Sequence, residues 1–480
     1  MNLRPVFYIF GILLCALSIS MLIPMLVDIY YMNNDWKVFL LCSFITGFFG
    51  GLMVLTTTND DMQLTTKQGF MMISICWIGL SLFSALPFWL SALDISLTDA
   101  VFESVSGITT TGATALTGLE TLPKGILIWR AVLQWLGGIG IIIMALSVLP
   151  FLKIGGMQLF QTELSESEKG TPRARTFASA IGLIYIFLTF ICMVCYHLSG
   201  MNYFDSAAHA MTTIATGGYA TYDTSFFHYE SAAPLIVGCI FMVVGGVPFV
   251  LLLKAFKGNL RPLLRDQQVK WFLITFTIAA LICTIVLTFQ HDAPLGASLL
   301  HSFFNVISVI TGTGYASADY GQWGSTVVCL IMFLTFMGAC AGSTSCGIKI
   351  FRFQVLAATV RVQVKKLLYP NGVFIPQFAG KPLPKDVPSA VMSFFFLYII
   401  SFAILSMALS FVGLDFITAI SGAATSISNV GPGLGDIIGP SGNFQSLPDS
   451  AKWILCTGMI LGRLEIFTII VMLSPYFWRK

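Results

Sequence analysis

Charge is what this sequence has least of. Asp, Glu, Lys and Arg make up 10% of its 480 residues and hydrophobic residues 56%, whereas soluble domains carry about 25% charged residues. That balance excludes an ordinary water-soluble domain and calls for a polytopic membrane protein. Histidine is scarce too, with five scattered residues. The eleven cysteines fall mostly inside apolar runs, without the histidine spacing of a zinc site. They read as small core residues and not as a disulfide or metal framework. Paired carboxylates, a Ser/His pair and a histidine cluster are all missing from the deep apolar segments, which speaks against an intramembrane enzyme. The first apolar run, Val6–Tyr30, is too long for a signal h-region and has no clear small-residue cleavage site, so a retained span is expected.

What the chain does have is a motif that recurs four times. Ile108–Thr114 reads ITTTGAT, Ile214–Ala220 IATGGYA, Ile310–Ala316 ITGTGYA and Ile427–Gly433 ISNVGPG. Aligned without gaps, Gly112, Gly218, Gly314 and Gly431 share one column, with an isoleucine four residues before each. The copies recur at intervals of roughly a hundred residues, the mark of an internal repeat. Potassium-channel filters use four loops of the TVGYG kind, whose backbone carbonyls replace the ion's water shell. A central glycine lets each carbonyl turn towards the axis. Four Gly/Thr turns could also be purely structural, but four in register between apolar spans favour a filter. Its expected ion-binding residues are Thr110, Thr111, Gly112, Thr216, Gly217, Gly218, Gly312, Thr313, Gly314, Asn429, Val430 and Gly431.

The apolar runs fit that plan. Val6–Tyr30 and Val38–Leu55 form a hairpin with no filter behind it. Each motif is preceded by an outer span and a short run, and followed by an inner span. The outer spans are Gly69–Leu93, Phe177–Leu198, Trp271–Phe289 and Ala390–Val412. The short runs, read as re-entrant half helices, are Asp99–Ile108, Phe204–Ile214, Ser298–Ile310 and Phe416–Ile427. The inner spans are Ile126–Leu149, Ala233–Leu253, Thr326–Ile350 and Trp453–Tyr476. The expected fold is all-α and polytopic, with ten spans. A hairpin (1–68) precedes four pore repeats (69–176, 177–270, 271–387, 388–480). Each repeat holds two spans and so starts and ends on one side. Parallel repeats imply a pseudo-fourfold axis with one central pathway, whereas inverted repeats would signal an alternating-access carrier.

With the N-terminus in the cytoplasm, 20 of the 25 Lys and Arg residues fall on the cytoplasmic side, so both termini are placed inside. The opposite mouth is acidic, with Asp99, Asp205, Asp223, Glu230, Asp292, Asp319, Asp415, Asp436 and Asp449, which would raise the local cation concentration. The basic stretches Lys153–Arg175, Lys254–Lys270 and Arg352–Lys385 either only set topology or dock a soluble partner.

Two features read as gates. Gly338–Gly347, GACAGSTSCG, lies mid-span, where helix-breaking small residues are tolerated only if buried in protein or lining a cavity. Close helix packing would need fewer of them, so a flexible loop below the filter is expected, with Gly338, Gly342, Ser343, Thr344, Ser345 and Gly347 as its gate residues. Arg463 is an intramembrane charge. Its neighbour Glu465 is two residues away and does not share its helix face, so Arg463 is expected to face the pathway. Nine residues before the column glycines stand Glu103, His209, Asn305 and Gly422, which either brace the half helices or, at Glu103, lie near the ion path.

Together with the four motifs, three segments resemble the TrkH/TrkG/KtrB family of bacterial potassium-uptake subunits over essentially the whole chain. They are Arg130–Gly140 (RAVLQWLGGIG), the Gly338–Gly347 break and Gly462-Arg463. The extra hairpin resembles the TrkH branch. The resemblance implies a non-enzymatic, potassium-conducting subunit in the inner membrane, a homodimer with one pore per subunit. It also implies a cytoplasmic nucleotide-binding ring protein, TrkA, that gates the pore. Potassium in the filter and surrounding lipid are the expected ligands, with no covalent cofactor and no nucleic acid. Some relatives with serine in the first column position are sodium-selective, and four glycines favour potassium. The next column, Ala113, Tyr219, Tyr315 and Pro432, lacks the four bracing tyrosines of a symmetric filter and implies a looser one. A carrier coupling potassium to sodium or protons is the alternative.

Overall fold

The structure is a computed structural model and describes residues 3–58, 65–147, 156 and 173–479. It is all-helical apart from two tiny strand pairs. The basic stretch Lys153–Arg175 lies outside the described residues except for residue 156 and the helix start at Arg173.

The N-terminal hairpin pairs Arg4–Ser20 and Leu22–Tyr30 with Trp36–Thr57. Small residues let its helices approach: a Cβ on Gly11 would meet the Gly50 carbonyl at 2.9 Å. Ser18 and Ser43 each donate to the other's carbonyl, at 2.7 and 2.8 Å. The hairpin docks on the first repeat through buried Asp28, whose carboxylate accepts from the Gly125 N–H at 2.7 Å.

Four repeats then circle an axis. Their half helices are Leu97–Ile108, Tyr203–Ile214, Leu295–Thr311 and Phe416–Ser428. At 12 to 17 residues they are shorter than the ~20 a span needs. Three start on a side-chain cap: Ser96 accepts from Asp99 N–H, Asn202 from Asp205 N–H and Asp415 from Thr418 N–H. The outer helices are Thr66–Ser84 continued by Leu86–Leu90, Arg173–Leu198, Gln267–Gln290 and Asp386–Phe411.

Two of the four inner helices depart from the expected continuous spans. Only the first, Lys124–Ser147, runs unbroken. The second is Ala232–Gly246 followed by Phe249–Phe256, bent by 103°. The third stops at Phe336, and its chain resumes as a helix only at Ile350. The fourth is Asp449–Arg463 followed by Phe467–Leu473, bent by 107°. Among the described residues, seven helices are long and apolar enough to cross a membrane, and nine if each bent pair is one span. The third inner helix breaks at Gly338–Gly347 as expected, whereas the breaks in the second and fourth depart from the expected Ala233–Leu253 and Trp453–Tyr476 spans. Pro248 has no N–H to continue a helix, and two positive-φ residues, Glu465 (57°) and Ile466 (24°), turn the fourth chain sharply.

Candidate functional site: four glycine loops and the constriction beneath them

Each half helix ends in the same way. The residue two before the column glycine is left-handed: Thr110 (φ 55°), Thr216 (50°), Gly312 (72°) and Asn429 (54°). Its N–H bonds back three residues, to Gly107, Thr213, Val309 and Ser426, at 3.0 to 3.3 Å. The next N–H reaches back five, from Thr111, Gly217, Thr313 and Val430 to Ser106, Thr212, Ser308 and Thr425, at 2.8 to 3.1 Å. This pair of bonds is the Schellman helix stop. The column glycine is left-handed again, at Gly112 (85°), Gly218 (79°), Gly314 (79°) and Gly431 (105°). Left-handed residues at alternate positions give all four loops one backbone shape. The half helices aim their C-terminal, partly negative ends at the loops, which favours a cation between them.

The loops form a closed ring in chain order. A Cβ on Gly112 would strike the Gly217 carbonyl, one on Gly218 the Thr313 carbonyl, one on Gly314 the Val430 carbonyl and one on Gly431 the Thr111 carbonyl. Each column glycine therefore leans on the carbonyl just before the next loop's glycine. No side chain fits at any of the four. Above the ring is a cavity of about 60 Å³ lined by Gly112, Gly218, Gly314 and Pro432, one residue from each loop, with Asp223 at its rim. A water needs roughly 10–15 Å³.

The bracing behind the ring is uneven. The Tyr219 hydroxyl donates to the Glu103 carbonyl at 2.8 Å, and the Tyr315 hydroxyl to the His209 carbonyl at 3.3 Å. Each tyrosine thus reaches the same position of the preceding half helix. Pro432 and Ala113 have no hydroxyl to do so at the other two junctions. The Glu103 carboxylate accepts from the Ala115 and Leu116 N–H groups, at 2.9 and 3.2 Å, and from Thr114. Asn305 makes the matching bond to Ser317 N–H at 3.1 Å. Glu103 therefore holds its loop from behind. Arg130 pairs with Glu103 at 3.5 Å, donates to the Ala220 carbonyl at 3.0 Å and lies over the Tyr219 ring.

Part of the expected acidic mouth is spent on local structure. Asp99 pairs with Lys452 at 2.5 Å, and Asp205 accepts from Asn202, Thr221 and Tyr222. Burial and the bond to Asp205 push the Tyr222 phenol up to about 12. It stays protonated and keeps donating at neutral pH.

Beneath the ring lies Gly338–Gly347. Its neck is a two-residue parallel pairing, Met337 with Ile348 and Gly338 with Lys349. The break in the second inner helix leaves carbonyls and an N–H without helical partners, and this loop satisfies them. Thr344 N–H bonds to the Gly245 carbonyl and Cys340 N–H to the Gly246 carbonyl, both at 3.2 Å, and Phe249 N–H bonds to the Gly342 carbonyl at 3.0 Å. The Thr344 hydroxyl also reaches the Ile214 carbonyl at 3.1 Å, at the foot of the second loop. Arg463 comes in from the other side, 2% exposed. It donates to the Cys346 sulfur and, at 2.7 Å, to the Gly137 carbonyl. Glu465 pairs with Arg352 at 2.5 Å and not with Arg463. Between loop and arginine remains a cavity of about 20 Å³, lined by Gly342, Ser343, Ser345, Gly347, Lys349 and Arg463 among others. That is room for about one water.

Residues 36–480 match the TrkH family, described as a cation transport protein. The chain belongs to the TrkH family. It is 46% identical over 478 residues, 99% of this chain and 97% of the relative, to the Trk system potassium uptake protein TrkI of Halomonas elongata. It is 35% identical over 488 residues to the Trk system potassium uptake protein TrkH of Escherichia coli K12, with both chains covered in full. Among solved structures it is similar to the potassium transporter TrkH from Vibrio parahaemolyticus, with a TM-score of 0.93, 34% identity and full coverage of both chains. The family is one of transport proteins and not of enzymes.

In this TrkH-family chain the twelve expected ion-binding residues lie together in the four loops. The expected gate residues Gly342, Ser343, Ser345, Gly347 and Arg463 line one cavity. Thr344 faces the second loop and Gly338 forms the neck. Sequence reading missed four residues. Arg130 and Gln134 brace the second loop from the first inner helix, and their i,i+4 spacing on one face was the available signal. Lys349, counted as a topology charge, and Arg352, read as setting topology or docking a partner, are 8% and 0% exposed beside Arg463 and Glu465.

Proposed function

We propose that this protein is the potassium-conducting subunit of a Trk-type uptake system. The observation that carries the proposal is the ring: four loops of one backbone shape, each glycine seated against the next loop's carbonyl. Such a ring offers the carbonyl oxygens of Thr111, Gly217, Thr313 and Val430 to a dehydrated cation, with no side chain between them. Potassium is the cargo, and the names of the full-length relatives support that choice.

The constriction below is the gate in this reading. The Gly338–Gly347 loop and Arg463 together obstruct the pathway, and a TrkA-like nucleotide-binding ring protein acts on them from the cytoplasm. A conformational equilibrium shifts only by the partner's difference in affinity for its two arrangements. Two copies form a homodimer in the inner membrane with both termini cytoplasmic, as the placement of Lys and Arg supports. The proposal divides the chain into hairpin and repeats at residues 68, 176, 270 and 387.

Gly112→Ser tests the filter. Its Cβ falls on the Gly217 carbonyl, so potassium-over-sodium preference should relax. Reversal potentials in mixed potassium and sodium that match the parent protein would end the filter reading.

A further inference from the structure

Gln134 lies on the first inner helix, fully buried, one turn beyond Arg130. Its Nε2 donates to the Gly217 carbonyl at 2.6 Å, and its Oε1 accepts from the Tyr219 N–H at 3.0 Å. The reversed amide would face oxygen with oxygen and N–H with N–H, so both bonds fix its orientation. One side chain thus grips the peptide groups on both sides of the column glycine Gly218.

We propose that Gln134 is a specificity-determining positioning residue for the second loop, fixing the direction of the Gly217 carbonyl. The inference rests on the filter reading above. Two further observations support it. The residue before the column glycine is Thr111, Thr313 and Val430 in the other loops but glycine in this one. A Cβ on Gly217 would strike the Gln134 side chain, so the missing side chain is what makes room for the grip. Among the described residues, the Gly217 oxygen is also the one ring oxygen of the four that accepts a side-chain hydrogen bond.

The physical effect follows from ion size. Sodium is smaller than potassium and needs its oxygens drawn inwards. A carbonyl oxygen has two lone pairs, and at Gly217 one is held by a buried amide while the other remains for the ion. The held carbonyl cannot follow a smaller ion, so the second loop resists sodium through its support and not through its own stiffness. Tyr315 gives the third loop a hydroxyl brace, and Tyr219 alone would give the second loop no more than that. Gln134 adds a bond to the coordinating carbonyl itself.

Two variants test this in liposomes holding the full-length protein, with reversal potentials read in mixed potassium and sodium. Gln134→Met keeps the length and removes both bonds. Gln134→Glu, read above about pH 9 so that even a buried carboxyl is ionised, keeps an acceptor for Tyr219 but loses the donor to Gly217. Both should lower potassium-over-sodium preference by on the order of two- to tenfold, the range spanned by one net hydrogen bond. A purely structural role would lower the amount of inserted protein and leave the ratio where it was. An unchanged ratio in the variants that insert would overturn the inference, and Gln134→Glu decides alone if Gln134→Met does not insert. If Gly112→Ser shifts the ratio while these variants do not, only the role of Gln134 falls. If none of the three shifts it, the filter reading falls as well.

Discussion

The four glycine loops and the four inner helices beneath them come from the same four repeats, yet they treat that symmetry in opposite ways. In the loops the backbone repeats down to single dihedrals: left-handed, then another residue, then left-handed again, in all four copies. Below them the inner helices take three different forms, and only the second and fourth, both sharply bent, are alike. One is continuous, one bends by 103°, one opens into a loop and one bends by 107°. A cation has spherical symmetry and is best met by equal oxygens from all sides. A gate of the kind proposed needs parts that fit one another, and the broken second helix and the third helix's loop do fit, through Thr344, Cys340 and Phe249 N–H bonds. Symmetry is kept in the loops proposed to coordinate the ion and lost in the constriction proposed to control its passage.

The sharpest way to break that contrast is Gly218→Ala. The left-handed backbone there costs a residue with a Cβ about 1–2 kcal/mol, before the clash with the Thr313 carbonyl is counted. We expect potassium-over-sodium preference to fall by more than about tenfold. Gly296→Ala, where the added methyl meets nothing within 4 Å, is the control, and identical reversal potentials in the two would remove selectivity from the symmetric zone.

Next in size is deletion of Ala341–Ser345. Rubidium uptake in potassium-uptake-deficient cells should rise about tenfold, equivalent to about 1.4 kcal/mol off a barrier, and depend less on the ring protein. Arg463→Ala should raise uptake severalfold, since it removes a buried positive charge that repels a cation beside it. Ion preference should stay as it was, because the loops lie above. Uptake that fell in both, with the protein inserted, would mean that the asymmetric zone supports the pathway and does not obstruct it. The smallest effect is expected from Tyr315→Phe, which loses the hydroxyl bonds to Thr212, Thr213 and the His209 carbonyl. Potassium preference should drop by about two- to fivefold, in line with one net hydrogen bond. A drop as large as that of Gly218→Ala would mean that the braces and not the ring set selectivity.

The symmetric zone was also the readable one. The isoleucine and glycine columns stand in the sequence, and three half-helix starts carry Ser, Asn or Asp caps. The left-handed residue two before each glycine was hidden, because two of the four are threonines, Thr110 and Thr216, which rarely adopt that conformation. There the ring imposes it. The second inner helix did carry a marker, Pro248, and reading Ala233–Leu253 as one span passed over it. The fourth break carried none. Leu464-Glu465-Ile466 contains neither Gly nor Pro, and the turn is tied down by Glu465 meeting Arg352 from the third repeat. Lys349 and Arg352 read as cytoplasmic charges because the sequence does not say what the chain packs against after the break in the third inner helix. They are buried only because it stops at Phe336. Proximity of Gly338–Gly347 to Arg463 was foreseeable from repeat order alone, since the third and fourth repeats are neighbours.

The ring of glycines and carbonyls also sets an order of events in biosynthesis. The first loop is seated by the last: Gly431 against the Thr111 carbonyl, Asn429 to the Thr111 hydroxyl at 2.9 Å, Phe444 N–H to the Thr114 carbonyl at 2.8 Å. Arg463 reaches the Gly137 carbonyl of the first inner helix. At about 5–20 residues per second of translation, the nascent first repeat stands in the bilayer for tens of seconds with its loop unclosed. A chain cut anywhere before the fourth repeat leaves that loop without its neighbour. The fourth repeat must therefore be made before the pathway has walls on every side.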